Sequence, residues 1–412
     1  MKPTIDADLS LIRDCYDRSL QLLRKNSTPD GIIACAKSKK AVDRHYVSIF
    51  GRDAAICSLG MIVTKDRELI DHARNSLFFL AQHQASNGQI PKYVKPIIKE
   101  VDFWYSGCID ATLWWLIAVN SHDRFFPAEG ISTKLREQID RAINWLFCQE
   151  HQGLFLLQQN EASDWADIMP RSGFVLYSNA LWFQTKKLYK ISTADKTKQF
   201  FKTIFFPFDE GIPEHRRARI MTHYIKNKIK KSDFYLSFVN FSFWGEEVDV
   251  YGNILSALFG LLSVSEASQM VDRMLAIKVN HPYPVRVVHL PINEESRLWR
   301  PYMNRHKQNV PHKYHNGGIW PYVGGFWVIL LSRLERKKLA WTELGRYAEA
   351  NRVNNWSFNE WLHGKTGEPG GMGGQSWNAA MFLLAYHTLH DNIDLFSNFN
   401  IFRTYHNTEP CA

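Results

Sequence analysis

Apolar residues recur at three- and four-residue spacing in block after block of this chain, and that period constrains its fold more than any other feature. Residues 7–24 carry Leu9, Ile12, Cys15, Leu20 and Leu23 at such spacings. The same pattern predicts helices at 53–64, 68–83, 110–120, 134–148, 177–190, 250–263, 266–276, 323–335, 341–351 and 375–390, with one or more hidden in the middle of the chain. Strand-like alternation is scarce; YPVRVVHL at 283–290 is its best case. No short repeat points to a solenoid. Many helices of modest length joined by long loops predict an all-α barrel or toroid. With no low-complexity linker and no shift in composition, residues 1–412 read as a single domain.

Long loops in a compact domain usually carry function. Four stand out, at 84–108, 151–174, 280–321 and 354–375, each rich in Trp, Tyr, His, Asn, Gly or carboxylates. The chain holds 14 Trp, and aromatic residues make up 14% of it. Most of these rings must be core. A few in the loops, Trp104 among them, have the flat apolar faces that suit the C–H face of a sugar.

Other classes are harder to support. Lys and Arg number 50 against 41 Asp and Glu, a net charge of +9. The basic residues are densest at 214–231, EHRRARIMTHYIKNKIKK, but no nucleic-acid motif accompanies them, so a solvated face is expected. The six cysteines, Cys15, Cys35, Cys57, Cys108, Cys148 and Cys411, form no CxxC pair or zinc spacing and read as reduced thiols. The first twenty residues lack the apolar core of a signal peptide, and no run approaches the length of a membrane span. A cytoplasmic protein without membrane or nucleic-acid partners is expected. No HExxH, GxSxG, P-loop or dinucleotide fingerprint is present, so no metal or cofactor is expected. PGGMGG at 369–374 follows no strand and reads as a lid rather than a phosphate cradle. The oligomeric state is not legible.

Glycoside hydrolysis needs two carboxyl groups, one to protonate the leaving oxygen and one to activate water or attack. Two loops offer them. EASDWADIMPRSG carries Glu161, Asp164 and Asp167 around Trp165; NNWSFNEWLHGKTGEPGGMGG carries Glu360 between Trp356 and Trp361. A carboxyl beside an indole is partly desolvated, which suits an acid catalyst near neutral pH. Helix capping is the competing explanation for such residues. In YHNGGIWPYVGGFW at 314–327, His315, Asn316 and Trp320 read either as a tight turn or as a polar rim with an aromatic wall. Arg52-Asp53, opening an apolar helix, reads either as a cap or as a clamp on sugar hydroxyls.

Taken in order, these segments resemble the catalytic barrels of amylo-α-1,6-glucosidases, the glycogen-debranching type, and of alkaline/neutral invertases. GRDA at 51–54 is similar to the debranching GRD segment, whose acid holds hydroxyls of the terminal sugar. CIDATLWWLIAV at 108–119, with Asp110, resembles the VDATLW helix. DWADIMPRSGFVLYSNALWF aligns Asp167 with the general acid. EEVDVYGNILSALFGL at 246–261 resembles the FDVxxNxLAIxxG helix through Asp249 and Asn253. YHNGGIWP is close to the invertases' YHNGGSWP. FNEWLHGKTGEPGGMGGQSWNAA places Glu360 at the general base, with Gln375 and Trp377 in its QSW.

The resemblance implies an (α/α)6 six-hairpin barrel and inverting chemistry on an α-glucosidic bond. It implies a carbohydrate substrate held by Arg52, Asp53, Trp104, Asp110, Trp165, His315, Asn316, Trp320, Gln375 and Trp377. The text after Asp167 departs from both families, reading IMPRSGFVLY rather than VEI or RRMGI. The chain has little room beyond the barrel, which favours a small substrate such as sucrose over a glucan branch. Glu360 is expected to stay ionised, helped by Gln375 or Tyr314, and Asp167 to be protonated on the dry side next to Trp165. Asp164 is the alternative acid. A sugar isomerase using His312, His315 and His363, and a silent carbohydrate-binding protein whose two carboxylates do not face each other, are the other readings.

Overall fold

The computed structural model describes residues 5–104, 107–208, 216–229 and 231–396. Cys411 and parts of the basic stretch 214–231 lie outside them; within that stretch Arg216–Lys228 is a helix.

Twelve helices build the frame, alternating along the chain between an outer and an inner ring. They are α1 (Ile5–Asn26), α2 (Gly51–Met61), α3 (Arg67–Gln82), α4 (Ile109–Phe125), α5 (Arg136–Gln149) and α6 (Leu176–Leu188), followed by α7 (Ala194–Phe205), α8 (Val250–Leu258), α9 (Val264–Ala276), α10 (Pro321–Arg333), α11 (Lys337–Trp356) and α12 (Ser376–His390). The even-numbered helices pack in sequence: α2 on α4, α4 on α6, α6 on α8, α8 on α10, α10 on α12, and α12 back on α2. That closes a ring of six. The odd-numbered helices include α1 against α12, α3 against α2, α7 against α6 and α11 against α10, forming an outer layer. This is the all-α barrel that the helical pattern predicted, in the (α/α)6 form that the resemblance implied. α7 is the helix hidden in the middle.

Sequence explains who sits where. Every residue of α2 and of α8 is buried. A helix apolar all round must lie inside, whereas an amphipathic one covers it. In α9 only Ala267, Met270, Val271 and Met274 are buried, one stripe at helical spacing, and a capping box of Ser263 and Glu266 starts the helix. The inner ring is also tight. A Cβ on Gly60 of α2 would stand 1.9 Å from the Ala380 carbonyl oxygen of α12, so only glycine permits that approach.

The connections are lopsided. Inner-to-outer links are short, as at 62–66, 189–193, 259–263 and 334–336. Outer-to-inner links are long: 27–50, 83–108, 150–175, 206–249, 277–320 and 357–375. All the long links therefore gather at one end, over the N-termini of the inner helices. They carry small antiparallel ribbons, 49–50 with 93–95 and 100–102, and 158–159 with 173–175 and 238–239. The expected strand at 283–290 is not one: this stretch makes only isolated bridges, Asp249 to Val288 and Arg286 to Ile319. Its alternation reflects a buried link crossing between α8 and α10. Among the described residues no helix is long and apolar enough to cross a membrane.

Candidate active site

A cavity of about 250 Å³ opens at the long-loop end. Of the residues singled out from sequence, Arg52, Asp53, Trp104, Trp165, Asp167, His315, Trp320, Glu360 and Trp377 line it. The two candidate carboxylates thus share one chamber.

Glu360 sits next to a two-residue strand, Trp361–Leu362, paired with Pro369–Gly370. Its backbone N–H donates to the Met372 carbonyl at 2.8 Å, and its Oε2 accepts the Met372 N–H at 2.9 Å. Gly371, at φ +74°, makes this possible, since a Cβ there would lie 2.2 Å from Glu360 Oε2. The Tyr46 hydroxyl donates to Oε1 at 2.7 Å. Burial pushes the carboxyl up to about 7, opposed by the Tyr46 and Met372 hydrogen bonds.

Asp167 is held from its main chain. Asn309 Nδ2 donates to the Asp167 carbonyl at 2.7 Å and to that of Ile168 at 3.1 Å. Its carboxylate meets Lys92 Nζ at 3.3 Å and the Tyr314 hydroxyl at 3.5 Å. Tyr46, which donates to Glu360, and Tyr314, which meets Asp167, both line the cavity. Asp164 turns away: Oδ1 accepts the Ala166 N–H at 2.8 Å and Oδ2 accepts from Gln159 at 2.9 Å. It ties the loop together and does not line the cavity.

These contacts correct the expected electrostatics. The drier carboxyl is Glu360, 4% exposed, whereas the Asp167 side chain is 21% exposed and ion-paired. Trp165 does not dry Asp167, because its ring turns into an aromatic cluster, edge-on to His315 and Trp320. The donors to Glu360 are Tyr46 and Met372 rather than Gln375 or Tyr314.

The floor is aromatic and polar at once. His315 stacks on Trp320 at 4.6 Å and 7° between planes, and burial holds its imidazole well below the usual range. Arg52 lies between Asp110 at 3.2 Å and Asp53 at 3.6 Å. Asp53 Oδ2, Trp165 Nε1 and Trp377 Nε1 are buried and meet no hydrogen-bond partner among the described residues. Burial pushes Asp53 up to about 6, against the pull of Arg52.

Three expected binding residues stand behind the wall. Asp110 anchors Arg52 and accepts from the Tyr177 hydroxyl at 3.0 Å. Asn316 spends its amide on the backbone, donating to Ile292 and Asn309 carbonyls at 2.7 and 2.9 Å. Gln375 is the N-cap position of α12 and is buried. Tyr46, Lys92 and Asn309 were not singled out from sequence. Nothing in RHYVS, IPKYV or QNVPH marks them, since their roles arise only where separate loops converge. His312 and His363 approach to 6.1 Å between ring centroids but do not line the cavity.

The fold has solved counterparts. The mannosylglycerate hydrolase of Thermus thermophilus superposes with a TM-score of 0.61 at 14% identity, covering 90% of this chain and 99% of that one. A bacterial glucoamylase complexed with acarbose gives 0.60 at 13%, covering 93% of this chain and 56% of that one. The glucoamylase of Hormoconis resinae gives 0.60 at 11%, covering 93% and 74%. No curated protein matches the sequence. Barrel and carboxylate-lined chamber together define a glycoside hydrolase of the six-hairpin class. Residues 177–392 match the model of one family in particular, alkaline and neutral invertase, and the chain belongs to that family. The matched stretch includes His315 and Glu360 and begins past Asp167.

Proposed function

We propose that the enzyme is an exo-acting, inverting hydrolase that releases glucose from a small α-glucoside such as sucrose, with an α-1,6-linked glucan branch as the second candidate. On this reading residues 1–412 act as one catalytic domain, in the cytoplasm, with its thiols reduced. The observation that carries it is the meeting of Asp167 and Glu360, from distant loops, in one chamber with an aromatic floor. Asp167 is the general acid and protonates the glycosidic oxygen. Glu360 is the general base and takes a proton from the water that attacks the anomeric carbon. Arg52 and Asp53 hold hydroxyls of the terminal sugar, and Trp320 and Trp377 supply the wall.

Glu360 can act as the base wherever it is ionised. A base of pKa about 7 is charged from neutral pH upward, which agrees with a family described as alkaline and neutral. Of the three histidines an isomerase would use, only His315 lines the chamber while His312 and His363 stand outside it, which disfavours an isomerase. A silent binding protein would not need two carboxylates turned into one cavity.

The test is a panel of sucrose, isomaltose, other small α-glucosides and limit dextrin, with free glucose as readout. Sucrose or another small α-glucoside should yield glucose, and Asp167→Asn and Glu360→Gln should each lower kcat by roughly 10³ or more. A panel without glucose, or a Glu360→Gln enzyme at wild-type turnover, refutes the reading.

A further inference from the structure

Lys92 does not fit a site built only for neutral sugar. Its ammonium lies 3.3 Å from Asp167 Oδ1 and 3.0 Å from the centroid of the Trp104 ring, and its side chain is 7% exposed. Its main chain is pinned on both sides: the Lys92 N–H donates to the Asp102 carbonyl, and the Lys92 carbonyl accepts the N–H of Gly51, next to Arg52. The residue therefore stays in the chamber, and only the ammonium can shift.

On the function proposed above, Asp167 must reach the reaction carrying a proton. Once Asp167 is neutral, the buried Lys92 ammonium loses its ion-pair partner and keeps the face of Trp104 and the field of Asp53, which costs part of its stabilisation. A replacement anion at Lys92 restores the lost pairing. The acid side of the bond is the side from which the leaving group departs, so that anion belongs to the leaving group. The mouth agrees: Arg44 and His45 line the same cavity, are exposed, and pair with no carboxylate among the described residues.

We infer that Lys92 is a specificity-determining residue that reads a negatively charged leaving group, so that the preferred substrate is an α-glucoside whose aglycone bears a carboxylate or phosphate. The substrate anion takes over Lys92, Asp167 is released from its ion pair and takes a proton from solvent, and that proton passes to the departing oxygen. This rests on the hydrolase reading and on the acid role of Asp167.

The test compares α-glucosides of glycerol, glycerate and glycerol phosphate, with sucrose alongside, in wild type, Lys92→Met and Lys92→Arg. In wild type, kcat/KM for at least one charged member should exceed that for the glycerol glucoside about tenfold or more. The charged pair separates carboxylate from phosphate recognition. Lys92→Met should collapse the ratio, and Lys92→Arg should keep most of it. Because the wild-type ratio alone can decide, a poorly folding variant does not rescue the idea. Glucose from sucrose with no preference for charged aglycones overturns this inference and leaves the hydrolase reading standing. No glucose from any of the four overturns this inference and the small-glucoside reading, and leaves the hydrolase reading to isomaltose and limit dextrin.

Discussion

Replacing Tyr46 by Phe removes one hydroxyl and one hydrogen bond, that to Glu360 Oε1 at 2.7 Å. The bond stabilises the ionised carboxylate, and bonds to charged groups contribute about 1.5–3 kcal/mol. At about 1.4 kcal/mol per pH unit, its loss raises the Glu360 pKa by roughly 1–2 units. The wild-type value is about 7, set by burial. A base works only when ionised, so the ionised fraction of Glu360, and its contribution to kcat/KM, should rise with pH through about 7, while the need for a protonated Asp167 limits activity at the alkaline end. In Tyr46→Phe that rise should move to roughly 8–9, with on the order of tenfold or more lost at about pH 6.5 and little lost at about pH 9.5. The assay is initial glucose release across roughly pH 5–10 under subsaturating substrate. The opposite assignment gives the opposite sign: if Glu360 were the acid, removing the donor would extend activity to higher pH. A Tyr46→Phe to wild-type ratio of kcat/KM that is the same at every pH, or that exceeds one at alkaline pH, refutes the base role.

The remaining predictions concern the scaffold of the site. Asp53→Asn exchanges a charged acceptor for a neutral one at the sugar clamp and should lower kcat/KM by about 10²-fold or more, measured on the best panel substrate. Gly371→Ala puts a methyl 2.2 Å from Glu360 Oε2 at φ +74°, so it should cost about 1–3 kcal/mol in chemical unfolding and sharply reduce kcat. Burial raises Glu360 above its unfolded value of 4.5 to about 7, so the folded state holds the extra proton between those values, and stability is lost as pH rises through about 7. Tm should therefore fall between about pH 5 and 8, and Glu360→Gln should reduce that fall; an equal slope in both proteins removes the argument.

The inner ring was legible because apolar residues recur along its helices at three- and four-residue spacing. α7 was missed: its text, ADKTKQFFKTIF, offers lysines as prominently as its buried Phe200, Phe201, Ile204 and Phe205. Asp167 and Glu360 stood out through their Trp-flanked, ordered motifs. The environment of each was not legible, because it depends on contacts between loops. Trp165 adjoins Asp167 in sequence, yet its ring turns to His315 and Trp320 while the carboxylate points at Lys92. Asn316 looked like a sugar ligand, but a buried turn with unpaired backbone groups claimed its amide first. Tyr46 sits in an ordinary polar link, and only the fold brings its hydroxyl to Glu360.

The stereochemistry of the first product tests the two-carboxylate account most directly. With Glu360 activating water opposite the bond that Asp167 protonates, an α-glucoside must yield β-glucose before mutarotation. Proton NMR of a fresh reaction, followed through the anomeric signals in the first minutes, should show the β signal first and the α signal growing later. Initial α-glucose would mean a carboxylate attacked carbon directly, and would contradict both the inverting mechanism and the role given to Glu360.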